Sequence, residues 1–280
     1  MKIASTPQRE FGASIGVFDS GVGGFTVLRE LRALLPTTRL RYLADTAYAP
    51  YGNRSPEDIR ARSFAITEHL IAQDAKLIVV ACNTATAHAI DALRARWPSL
   101  PFVGTEPGIK PAVAVTRNSR IGLLATPATA ASARLRALIE RHAGDRQVVV
   151  QGCAGIVDRI EAGDLTSTEL RTLIDRYCEP LCVAGVDTAL LGCTHYPLIE
   201  PLWQAALGPE VTLLRIETAV ARRAVDLWSP APANHADLDI ETSGDPVVLR
   251  GWIAQVLGWQ SVNVQAWQPE NSNGQQALTV

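Results

Sequence analysis

Leu77-Ile78-Val79-Val80-Ala81-Cys82-Asn83-Thr84 and Ala189-Leu190-Leu191-Gly192-Cys193-Thr194-His195 are two stretches of one design. Each runs through a short apolar segment and ends on a cysteine followed by polar side chains. An apolar run of this length reads as a buried strand of a parallel sheet. In open α/β sheets the ligand crevice lies beyond the carboxyl ends of the strands. Two thiols so placed face one pocket as acid and base on opposite faces of a single carbon, and that geometry inverts a stereocentre.

Outward from these cysteines, strand-like and helix-like segments alternate, the pattern of an α/β fold with parallel sheets. Residues 14–18 read as a first strand, 25–35 as an amphipathic helix stopped by Pro36, and 40–43 as a second strand. Residues 56–71 read as a helix with Ser55 as N-cap and Pro56 at its first position. Residues 77–81 give a third strand and 86–96 a further helix ended by Trp97-Pro98. The pattern then starts again: Arg120-Ile121-Gly122-Leu123-Leu124 repeats Ser14-Ile15-Gly16-Val17-Phe18, with Thr126-Pro127 where Ser20-Gly21 stood. Ile15 and Ile121 are 106 residues apart, Cys82 and Cys193 111 apart. Two landmarks at nearly one offset predict an internal duplication, two similar α/β halves that each carry a hydroxyl-bearing turn and a later cysteine.

Composition narrows the function classes. The 280 residues are 47% hydrophobic, enough for the cores of one large or two medium domains. A net charge of −2 carries no basic footprint for nucleic acid and no polybasic membrane patch, so a small molecule is the expected ligand. Five cysteines, an odd number, and a polar N-terminus point to a reduced, cytoplasmic setting, and no apolar run is long enough to span a bilayer. Residues 261–280, rich in Gln, Asn and Ser, read as a poorly ordered tail.

A free thiol titrates at about 8.5, so modest tuning leaves one cysteine protonated and the other ionised near neutrality. Asp19 and His195 are candidates to hold or shuttle a proton for Cys82 and Cys193 respectively. Ser20, Asn83, Thr84, Thr126 and Thr194, with backbone N–H groups of Asp19-Ser20-Gly21-Val22-Gly23-Gly24, are candidates to bind a substrate carboxylate. Helix N-termini after both cysteines would add to that field. A lone cysteine after a strand is more often a small core residue, but two in matching polar settings favour chemistry. The glycine-rich turn has neither Walker nor G-x-G-x-x-G spacing. Cys178 and Cys182 have no neighbouring ligands in sequence, so no metal site is expected, and His69, His88, His142 and His235 read as surface or helix-face residues. Pyridoxal chemistry needs a Schiff-base lysine, and Lys2, Lys76 and Lys110 are all poorly placed for one; no cofactor is expected.

Six ordered motifs give the chain a resemblance to the glutamate racemase family. They are Gly16-Val-Phe-Asp-Ser-Gly-Val-Gly-Gly24, Tyr42-Leu-Ala-Asp-Thr-Ala-Tyr-Ala-Pro-Tyr-Gly52, Ala81-Cys-Asn-Thr-Ala-Thr86, Gly104-Thr-Glu-Pro107, Ile121-Gly-Leu-Leu-Ala-Thr126 and Leu191-Gly-Cys-Thr-His-Tyr-Pro197. The resemblance implies cofactor-independent interconversion of L- and D-glutamate for peptidoglycan synthesis, and a homodimer. It also implies two pseudo-twofold-related α/β domains with mainly parallel sheets and the site in the interdomain cleft. Residues 12–106 with 217–260 would form the first domain and 107–216 the second.

By the same resemblance, Cys82 and Cys193 would be the proton donor and acceptor, with Asp19 and His195 assisting. Substrate contacts would come from Asp19-Ser20, Pro50-Tyr51-Gly52, Cys82-Asn83-Thr84 and Cys193-Thr194-His195, with Asp45 and Glu161 as acidic support. One stretch departs from the pattern. Residues 152–161 stand where the family has a Cys-Pro and a more apolar run before its glutamate. Two alternatives stay open: a racemase or decarboxylase of another acid such as aspartate, or a non-catalytic binding or regulatory protein on the same scaffold.

Overall fold

Ten strands and their helices build two separate parallel sheets in a computed structural model that describes residues 13–229 and 237–269. The strands are β1 (Ser14–Asp19), β2 (Leu40–Ala44), β3 (Ala75–Val80), β4 (Phe102–Gly104), β5 (Arg120–Ala125), β6 (Gln147–Gly152), β7 (Thr188–Gly192), β8 (Thr212–Leu214), β9 (Leu238–Thr242) and β10 (Val264–Ala266). The first sheet has the order β10-β9-β2-β1-β3-β4 and the second β6-β5-β7-β8, with every pairing parallel. The central strands β1, β3, β5 and β7 are buried nearly end to end, as strands covered on both faces must be.

The shared part of the two sheets reproduces the internal repeat. In each, the chain adds its second strand on one side of the first and its third on the other, so β1/β3 and β5/β7 are equivalent switch points. Register agrees too. Phe18 pairs with Val80 and Leu124 with Leu191, and in both sheets that partner stands two residues before the cysteine.

Local signals set the helix boundaries. Ser55 caps helix Pro56–Ala72 by accepting the Asp58 N–H at 3.1 Å. The helix expected from residue 86 begins three residues earlier, at Asn83, and runs to Arg96 with Cys82 itself as N-cap. No such helix follows Cys193: the chain passes through a 3₁₀ turn, Tyr196–Ile199, before helix Glu200–Leu207. Only the first cysteine therefore sits directly on a long helix N-terminus.

The C-terminal part returns to the first sheet, β9 beside β2 and β10 beside β9. Within the stretch 261–280 expected to be a poorly ordered tail, Val264–Ala266 is an edge strand and Trp267 is buried. A strand of three residues with polar neighbours carries almost no hydrophobic period, and tertiary pairing supplies what periodicity lacks. Residues 270–280, Lys2 and His235 lie outside the described residues.

Candidate active site

Asp19 closes β1 at its carboxyl end and is fully buried. Its carboxylate accepts the Gly21 N–H at 2.7 Å and the Thr194 hydroxyl at 3.0 Å, so the first hydrogen bond orders the glycine-rich turn and the second reaches the other sheet. Burial pushes the Asp19 carboxyl up to about 6, against His195, the Gly21 N–H and the Thr194 hydroxyl, which hold it down. Tyr42 supports the turn from beneath by donating its hydroxyl to the Gly21 carbonyl at 2.9 Å.

The glycines of this turn are there for space. A Cβ on Gly21 would overlap the Glu161 carboxylate, and one on Gly23 would overlap the His195 ring. Side chains of the second half thus press directly on the backbone of the first.

Cys82 follows β3 and is 4% exposed. Its sulfur accepts the Ala85 N–H at 3.4 Å and lies 3.7 Å from the Ser20 hydroxyl. Burial first, then the negative charge of Asp19, pushes this thiol up to about 12. Cys82 is consequently a thiol at rest.

Cys193 follows β7 and is 6% exposed, with its sulfur 3.8 Å from His195 Nδ1. The other ring nitrogen, Nε2, lies 2.5 Å from Glu161 Oε1, and that oxygen also accepts the Val22 N–H at 2.8 Å. Burial alone would lower the imidazole pKa; the contacts with Cys193 and Glu161 outweigh it and hold His195 well above the usual histidine range. A protonated imidazole therefore stands beside the second sulfur. The divergent segment before Glu161 still delivers it: Gly155, in the left-handed region at φ 77°, opens helix Ile156–Glu161, and the glutamate ends that helix.

Hydroxyls join the two halves across the site. Thr84 Oγ1 lies 2.9 Å from Thr126 Oγ1 and 3.3 Å from Thr129 Oγ1, and all three residues are buried. Asn83 donates to the Thr105 carbonyl at 3.1 Å, while its own side-chain oxygen is buried without a hydrogen-bond partner among the described residues. Pro50-Tyr51-Gly52 packs against the same hydroxyl cluster, Thr126 Cβ lying 3.1 Å from where a Gly52 Cβ would be.

Asp45 is placed differently from the other acidic residues. Its carboxylate is committed to the Arg62 guanidinium, with contacts of 2.6 and 2.9 Å, and to the Tyr51 hydroxyl at 2.5 Å. None of these contacts is to either sulfur. Arg62, Tyr42 and Thr129 are site residues that sequence reading missed, because each acts through a partner brought close only by the fold. Of the other described lysines and cysteines, Lys76, Lys110 and Cys182 are exposed and Cys178 is buried, while Cys153 is buried in the same cluster as Cys193 and Tyr196. His69 lies 2.8 Å from Glu241 and from the Gln73 amide, so it is partnered rather than a free surface group.

Two parallel sheets with equivalent switch points, each presenting a buried thiol beside its own ionisable neighbour, define an α/β protein organised for proton transfer at one small-molecule site. Comparison with known proteins narrows that class. Residues 26–224 match the family model for Asp/Glu/Hydantoin racemases. The glutamate racemase of Ectopseudomonas mendocina (strain ymp) is 52% identical over 211 residues, 75% of this chain and 80% of that protein. The glutamate racemase of Pseudomonas putida is 46% identical over 264 residues, 92% of this chain and 98% of that protein. In three dimensions, glutamate racemase from Francisella tularensis in complex with D-glutamate superposes with a TM-score of 0.81 at 26% identity, covering 92% and 98% of the two chains. The chain belongs to the Asp/Glu/hydantoin racemase family.

Proposed function

We infer that this protein is an amino-acid racemase that interconverts L- and D-glutamate by two-base proton transfer between Cys82 and Cys193, without a cofactor. The observation that carries the reading is the pair of buried thiols at equivalent strand ends, one beside Asp19 and Ser20, the other beside His195 and Glu161. Glutamate as substrate follows from relatives of about half-identical sequence over most of the chain that are named glutamate racemases.

Binding and proton transfer divide between the loops and the sulfurs. Hydroxyls of Ser20, Thr84, Thr126 and Thr194, with the backbone N–H groups of the glycine turn other than those of Gly21 and Val22 that Asp19 and Glu161 occupy, bind the substrate carboxylates, with Pro50-Tyr51-Gly52 closing one side. The unpaired Asn83 oxygen accepts from the ammonium group. One sulfur removes the α-proton while the opposite thiol delivers its own proton to the other face, so the two sulfurs hold one proton between them in the reactive state. His195 steadies negative charge on the Cys193 sulfur, and Glu161 keeps His195 protonated; Asp19 and Ser20 serve the Cys82 side. Reversing the direction exchanges which sulfur begins ionised.

The two sheets serve as two domains, residues 13–106 with 217–229 and 237–269 against 107–216, and the substrate lies in the cleft between them. Supply of D-glutamate for peptidoglycan assigns the reaction to the cytoplasm, and a homodimer is the expected assembly. The test is circular dichroism of purified protein incubated with L-glutamate, D-glutamate or L-aspartate and no added cofactor. Loss of signal from both glutamate enantiomers toward a racemic mixture, with aspartate unchanged, is the expected result; racemised aspartate with unchanged glutamate would replace the substrate.

A further inference from the structure

Arg62 belongs to no motif singled out in the sequence, yet it is built into the floor beneath the Pro50-Tyr51-Gly52 loop. It projects from helix Pro56–Ala72, is 8% exposed, and meets Asp45 through two nitrogens, Nε to Oδ2 at 2.9 Å and Nη2 to Oδ1 at 2.6 Å. A fork-to-fork pair of this kind fixes orientation as well as charge, which a lysine at the same place would not. The guanidinium carbon lies 3.8 Å from the Tyr48 ring centroid and 5.2 Å from that of Trp267. Trp267 directly follows edge strand β10, so the returning C-terminal chain helps to set the arginine.

From Arg62 the contacts lead inward. Asp45 Oδ2 accepts the Tyr51 hydroxyl as well as Arg62, and Tyr51 is buried in the same apolar cluster as Cys82. The Asp45 N–H bonds the Asp19 carbonyl at 2.9 Å, which puts this carboxylate on the strand end next to Asp19. Without a cation, a buried Asp45 charge would stand between Asp19 and Tyr51 uncompensated, and the loop would have to shift to admit water.

We propose that Arg62 is a positioning residue for the racemisation: by holding Asp45 in a bidentate pair it fixes the Tyr51 hydroxyl and, through it, the substrate-binding Pro50-Tyr51-Gly52 backbone. The proposal rests on the glutamate reading. Its action is on binding more than on proton transfer, because neither sulfur touches the pair.

The experiment measures KM and kcat for glutamate with the full-length native protein, Arg62→Met, Arg62→Lys, and the double variant Arg62→Met with Asp45→Asn. Loss of the oriented pair in Arg62→Met is expected to raise KM by about tenfold or more while kcat falls less, the effect of about one hydrogen bond to a charged group. Lysine restores the charge without the fork and is expected to fall between native and Arg62→Met. In the double variant no charge is left buried, which restores stability, but the two-pronged hold on position 45 is gone, so KM is expected to stay raised by at least about threefold. Thermal melts identify any variant that fails to fold, and the double variant keeps the test decisive if Arg62→Met alone is one. A folded Arg62→Met with native KM, or a double variant with native KM, overturns the proposal, since the latter would show that only an uncompensated charge mattered. Inactivity of the native protein on glutamate would instead overturn the substrate reading, which separates the two failures.

Discussion

The two thiol sites share a topology and deep burial and differ in the groups that surround each sulfur. Cys82 caps a helix of 14 residues, faces a serine hydroxyl and a buried aspartate, and is pushed up to about 12 by burial and then by that aspartate. Cys193 opens onto a 3₁₀ turn and faces a histidine that a glutamate keeps protonated. Equivalent strands deliver the sulfurs to equivalent places, so the backbone accounts for where the thiols are. The loops and one helix end account for what they do. A near-symmetric fold suits a reaction whose substrate and product are mirror images, and unlike neighbours let each sulfur be tuned separately.

Replacing either thiol tests that comparison most severely. Cys82→Ser and Cys193→Ser are each expected to lower kcat/KM for racemisation by at least about a thousandfold, since a serine hydroxyl is a far weaker acid and base at neutral pH. The loss in kcat/KM must be the same from L- and from D-glutamate, because both enantiomers have equal free energy. A Cys193→Ser protein that racemises at the native rate would break the two-thiol account at once.

Glu161→Gln acts first on the Cys193 side, although the same carboxylate also accepts the Val22 N–H of the glycine turn, and is expected to cost about tenfold to a hundredfold in racemisation. It also has a pH signature. The folded protein holds the His195 pKa above its unfolded value, so that stabilisation is whole below about 6.5 and is lost as pH rises through the folded pKa. Removing the glutamate charge lowers the folded pKa, so the alkaline limb of the rate profile should move to lower pH in the variant. An unmoved limb would show that His195 takes its proton affinity from elsewhere. Ser20→Ala is the matching change on the Cys82 side and should be the mildest, a loss of less than about tenfold, because a long thiol–hydroxyl contact of 3.7 Å is worth little. A larger effect for Ser20→Ala than for Glu161→Gln would reverse the assignment of the more heavily assisted sulfur.

Much of this arrangement was legible in the sequence because it is local. Apolar runs ending on Cys82 and Cys193 place both thiols, and the offsets of 106 and 111 residues reappear as strand register around Phe18/Val80 and Leu124/Leu191. The order of helix and 3₁₀ turn after the cysteines was less legible. Asn83 and Thr84 are poor interior helix formers that serve at a helix start, and Pro197 two residues after His195 gives no sign that only a 3₁₀ turn follows. Charge partners were out of reach. Glu161 meets a backbone N–H 139 residues away, and Arg62 meets Asp45 across a turn and a helix, so neither pairing leaves a period in the chain. Edge strand β10 hid for the same reason, with Val264 and Trp267 its only buried anchors.

Solvent isotope incorporation tests the two-sulfur mechanism most directly. Each glutamate enantiomer is turned over briefly in D₂O without added cofactor, and Cα deuterium is measured separately in product and in recovered substrate. Two bases on opposite faces predict product that carries deuterium from its first appearance and recovered substrate that remains protiated. Product that retains the substrate's own proton would mean a single group serving both faces, and would contradict the account.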